Sequence, residues 1–214
     1  MRIGSWLSRI FHRRPVEAPP RTSVSPPASP APKPGAPVDT FEPGAPMRVS
    51  LGKVTGYTPS ERAKLDQAMG LFANVLNSRE FRDAVLGSKF AGKPGFASDS
   101  RSPAEVYAVI RAAKENYTSA ADGEVDLNVN LESFSWFQRK VVGYTTPQSD
   151  TITTNRRFFS GFEPSEIAGH LAHEWLHKLG FDHDFNATSQ RPYSVPYELG
   201  ELVERLAQGP LTPL

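Results

Sequence analysis

Residues His173-Glu174-Trp175-Leu176-His177-Lys178-Leu179-Gly180-Phe181-Asp182-His183 spell H-E-x-x-H-x-x-G-x-x-H, a string that leaves the backbone little choice. Histidines four apart share one face of a helix, one turn and about 6 Å of rise from each other. That spacing lets two neutral imidazoles reach a single zinc ion at about 2.0–2.1 Å. Glu174, beside the first of them, is placed to take a proton from an activated water. Gly180 supplies a residue that adopts positive φ, which ends the helix and reverses the chain. The reversal returns His183 as a third ligand and leaves one coordination position open. Three protein ligands with an open position describe a catalytic zinc, not a structural one. H-E-x-x-H alone is a weak signal, but the spaced glycine and third histidine make it strong. Four of the five histidines (His170, His173, His177, His183) fall in this stretch, which argues against a chance His-rich surface helix.

The constellation resembles the metzincin clan of zinc peptidases, matching its signature at each fixed position and continuing into Asp184. The resemblance implies an α+β, zincin-like (metzincin-type) catalytic domain: a small mixed sheet, an active-site helix and a C-terminal helix. It implies Zn2+ as cofactor, held by His173, His177 and His183, Glu174 as general base, and a protein or peptide substrate. A methionine-bearing turn beneath the metal is also part of the family pattern. The three methionines here are Met1, Met47 and Met69, all upstream. Ser194-Val195-Pro196-Tyr197 is the best remaining candidate for that turn, with Pro196 where methionine is expected. The methionine supports the site without ligating, so the chain reads as a divergent or minimal member.

Some metzincins place a tyrosine after this turn, where its phenol reaches the metal or the oxyanion. Tyr197, directly after Pro196, fits better than Tyr193, and simple packing at the base of the cleft is the alternative. By position alone, Thr151–Asn155 corresponds to the strand forming the upper edge of the cleft, where substrate adds as a strand. His170 reads as a supporting or packed residue and not as a ligand. Gluzincins take their third ligand from a glutamate on a later helix, and Glu198 and Glu201 lie on such a predicted helix. Gly180 and His183 make that ligand unnecessary, so the glutamates read as surface or supporting residues. A zinc-binding module without peptidase activity is the competing reading. Glu174 argues against it, because such a module needs no base.

Eleven of the 20 prolines lie between Pro15 and Pro46. So Pro-rich a segment cannot bury enough apolar surface to fold, and 15–46 is expected to be a disordered, semi-rigid linker. Before it, residues 1–14 carry Ile3, Trp6, Leu7, Ile10 and Phe11 at helical spacing, with Arg2, Arg9, Arg13 and Arg14 mostly on the other side. A basic amphipathic segment of this kind suits a membrane surface or a docking partner. It is too short to span a bilayer, and neither the apolar core nor the cleavage site of a signal peptide is recognisable.

Residues 47–214 form the expected catalytic domain, a monomer. A formal net charge of +1 gives no argument for nucleic acid. The absence of cysteine excludes disulfides, thiol chemistry and a cysteine latch, and leaves the compartment open. Within the domain, apolar spacing predicts helices over Ser60–Leu76 (capped at Thr58), Phe81–Leu86, Ser102 to about Tyr117, and Tyr197–Ala207. The metal helix opens at Glu163-Pro164-Ser165-Glu166, with Ile167, Leu171, Trp175 and Leu179 as its apolar stripe. Strands are predicted at Asp126–Phe134, Val141–Tyr144 and Thr151–Phe159, and a loop at Lys89–Ser102.

Overall fold

Val125, Leu127, Val129 and Leu131 are buried at every second position of one strand, β2 (Glu124–Glu132), while the residues between them are half-buried. In the computed structural model, residues 45–90, 101–118, 121–146, 149–184, 188–189 and 191–214 are described. Residues 1–14, all but the end of the 15–46 segment, and most of the Lys89–Ser102 loop lie outside them.

β2 is the hub of a four-stranded mixed sheet. It pairs in parallel with β1 (Arg48–Thr55) on one side and β4 (Thr151–Asn155) on the other. β3 (Gly143–Tyr144) pairs antiparallel with β4, giving the order β1-β2-β4-β3. The class is therefore α+β, as expected, but two details differ. β1 is not legible as a strand, because Gly52 and Lys53 break its alternation and its register with β2 shifts between Leu51 and Val54. Thr151–Asn155 does not form the sheet's edge: both its sides are taken, and the two-residue β3 stands outside it.

The helices follow their caps. α1 (Pro59–Leu76) starts on a capping box between Thr58 and Glu61 and buries Leu65, Ala68, Met69, Phe72, Val75 and Leu76. α2 spans Arg79–Leu86. α3 (Pro103–Ala112) has the same box between Ser102 and Glu105, and stops at Ala113, whose φ of 45° is left-handed. That stop comes earlier than the apolar spacing predicts. The predicted strand through Phe159 also ends early, because the Asn155 side chain accepts from Arg157 N at 3.2 Å and caps a short helix, α4 (Arg156–Gly161).

α5 (Pro164–Lys178), read in the sequence as the metal helix, carries His173 and His177. It is buried on all sides from Ser165 to Leu176, so it is the central helix and not an amphipathic surface one. α1 packs on one side of it, where Phe72 and Trp175 meet edge-to-face with centroids 5.9 Å apart. α6 (Val195–Leu206) packs on another. Gly200 permits that approach: a Cβ there would stand 3.1 Å from both Gly169 O and His173 Cβ. No helix among the described residues is long and apolar enough to cross a membrane.

Candidate metal centre

α5 ends as its sequence requires. Gly180 has φ of +86°; its N–H donates to His177 O, and Phe181 N–H donates to Leu176 O, each at 3.1 Å. These paired bonds form a Schellman stop. The chain turns back, and Asp182 Oδ1 accepts from His183 N at 2.8 Å, fixing the return.

The turn brings His173, His177 and His183 together, with one ligand atom of each lying within 4.8 Å of the others. Their ring centroids are 4.9–5.2 Å apart. Three nitrogens arranged tetrahedrally on one zinc would stand about 3.3 Å from each other, so small side-chain rotations close the gap. Tautomers are set from behind. His177 Nδ1 donates to Phe181 O at 2.9 Å and His183 Nδ1 to Asp184 O at 3.0 Å. A carbonyl only accepts, so each Nδ1 holds the proton and Nε2 is left with its lone pair for a metal. Burial depresses the proton affinity of His173 well below the ordinary imidazole range and that of His183 to about 4. Neutral imidazoles are the form that binds metal, and the donor set fits a divalent ion.

Glu174 is buried beside His173, and that burial lifts its pKa to about 7, against the opposing influence of Lys178 and a backbone hydrogen bond at Thr145. A carboxyl with proton affinity near neutrality can both take and return a proton. Lys178, one turn further along, is fully buried. Its ammonium donates to Thr145 Oγ1 at 3.0 Å and Ser149 O at 2.5 Å, tying the segment after β3 to the metal helix. His170 stands outside the metal group. Its Nε2 lies 3.0 Å from Thr154 Oγ1 and its Nδ1 3.8 Å from Glu174 Oε1. Gly143 of the edge strand lies directly against it: a Cβ would come within 2.7 Å of the His170 ring.

The stretch Ser194-Val195-Pro196-Tyr197 is not a free turn; it is the start of α6, with Ser194 at the N-cap and Pro196 in the first helical turn. It nonetheless lies under the histidines. The Tyr197 ring is 4.6 Å from that of His173 and 4.7 Å from that of His183, and burial pushes its phenol up to about 12. Tyr193 is 54% exposed. Glu198 accepts from Ser88 Oγ at 2.8 Å, and neither it, Glu201 nor Asp182 belongs to the metal group. Sequence reasoning missed Arg191, whose guanidinium lies 4.8 Å over the Tyr197 ring, and Lys178. The only sequence signal for Lys178 is its place four residues after Glu174. No family model, curated protein or solved structure matches the chain.

Proposed function

We propose that this chain is a zinc-dependent endopeptidase, a minimal metzincin with a zincin-like catalytic domain over 47–214. The carrying observation is the convergence of His173, His177 and His183, with Glu174 buried beside His173. Glu174 sits one residue from a would-be ligand, where a general base is useful and a purely structural zinc site has no need of one. This favours catalysis over a passive zinc module.

Zinc, when bound, supplies a Lewis acid that polarises the scissile carbonyl and acidifies water. Glu174 takes the proton of the attacking water and returns it to the leaving amine. Tyr197, kept protonated by burial, donates a hydrogen bond to the oxygen on which charge develops. An extended peptide or protein segment adds to the outer side of β3, the strand that rests on His170 through Gly143.

Elemental analysis of purified protein, with Glu174→Gln and His183→Ala in parallel, tests the reading. About one zinc per chain is expected in wild type and Glu174→Gln, with cleavage of an unfolded protein substrate lost in the latter. His183→Ala is expected to lose the metal. A wild type that takes up no zinc after reconstitution, or a Glu174→Gln that still cleaves, overturns it.

A further inference from the structure

We propose that the β2–β3 connection, residues 133–140, is a docking surface for an anionic lipid bilayer. Trp136 and Phe137 sit side by side on a single 3-10 turn, 70% and 80% exposed. Neither ring is packed into the core, and among the described residues both are far more exposed than the other large aromatic side chains apart from Tyr193 and Tyr144.

The two charged residues of the connection itself, Arg139 and Lys140, are both basic. Arg139 stacks on Trp136 with its guanidinium 3.8 Å from the ring, and Lys140 follows it. Behind the turn lies an open cleft of about 450 Å³ walled by Phe134, Trp136, Arg139, Arg156 and Arg157. Arg156 is neutralised by Glu61 at 2.5 Å. The side chains of Arg139 and Arg157 pair with no carboxylate among the described residues. Glu132 is the nearby exposed acid, and it accepts from Asn130 at 2.9 Å. Exposed aromatics flanked by unneutralised guanidiniums match the interface of an anionic membrane, where rings enter the headgroup boundary and cations meet phosphate.

A bilayer is favoured over a protein partner because the chain carries the same pairing twice. Residues 1–14 combine Trp6, Phe11 and three aliphatic residues with four arginines. Two weak interfacial elements linked in one chain hold a surface more tightly than either alone. The intervening sequence 15–46, if fully extended at about 3.1 Å per residue, spans up to about 100 Å, enough for both elements to meet one surface. Phe134 of the connection stacks on Tyr144 of β3 with centroids 5.6 Å apart. Docking therefore lays the β3 edge along the membrane. For the proposed peptidase this would select segments at the bilayer surface, but the docking itself does not depend on that reading.

The test is co-sedimentation of the full chain with vesicles of phosphatidylcholine mixed with phosphatidylglycerol, and with phosphatidylcholine alone. Binding to the mixed vesicles only is expected. Trp136→Ala/Phe137→Ala should weaken it by about tenfold or more, given the apolar area withdrawn. Arg139→Gln/Arg157→Gln should weaken it less and flatten its salt dependence. Both pairs are at the surface, so an unchanged far-UV spectrum and zinc content serve as controls. Absence of binding to mixed vesicles overturns the proposal. So does binding that neither pair affects, which would assign all contact to residues 1–14. An aromatic variant that keeps vesicle binding and loses a protein partner would make this a protein interface and overturn it equally.

Discussion

Glu115 offers a prediction that reads the metal helix from behind. It is buried just after α3, and its Oε1 accepts from Trp175 Nε1 at 2.9 Å and from Asp126 N at 3.4 Å. Its Oε2 is buried with no hydrogen-bond partner. Burial raises the carboxyl's pKa from 4.5 to about 7, against the Trp175 hydrogen bond. The folded state thus holds this proton more tightly than the unfolded chain does. The stability it contributes is complete below about pH 4.5 and is lost as pH rises towards 7. Carried over in full, the shift equals about 3.4 kcal/mol, and screening leaves about 2 kcal/mol. Glu115→Gln keeps an oxygen for Trp175 and cannot ionise. Urea unfolding of wild type and variant at pH 5 and pH 8 isolates the effect. The metal and histidine contributions, common to both proteins, cancel in the difference. The variant should gain about 2 kcal/mol relative to wild type between the two pH values. A stability difference independent of pH refutes the reasoning and means that the carboxylate is solvated or paired in the folded state.

Legibility in the sequence follows the range of the interactions. The metal helix, its stop and the return of His183 rest on contacts within a few residues: a capping bond from Glu163 N to Glu166 at 2.8 Å at one end and the Gly180 turn at the other. Both are readable because local backbone geometry decides them. The early end of the Thr151 strand is decided by one competing local bond, the Asn155 cap, while apolar Phe158 and Phe159 continue the look of a strand. Ser194–Tyr197 resembles a turn because Pro196 is present, yet proline in the first turn is also a helix start. What was illegible is long-range. β1 depends on pairing with a strand more than seventy positions away, Lys178 on the backbone of Ser149, and Glu115 on an indole at position 175. Edge against interior within the sheet is likewise decided by pairing order, which alternation of one strand does not encode.

Two substitutions at the metal site complete the predictions. Gly180→Ala finds room for its Cβ, with the nearest atom, Asn116 Oδ1, 3.9 Å away, so its cost is that of holding φ at +86°. A loss of about 1–2 kcal/mol is expected, with weaker zinc retention as His183 is released, and Gly180→Asn should lose less; an unchanged melting temperature contradicts the turn's role. Tyr197→Phe separates the two roles left open for the tyrosine. The phenyl ring keeps the contacts at 4.6 Å and 4.7 Å to His173 and His183, so fold and zinc content should hold. Only the hydroxyl donor is removed, and if the proposed peptidase uses it at the oxyanion, kcat is expected to fall by about 10²–10³-fold with little change in KM. For the proposed peptidase, a variant with undiminished kcat makes Tyr197 the floor of the histidine cluster and nothing more.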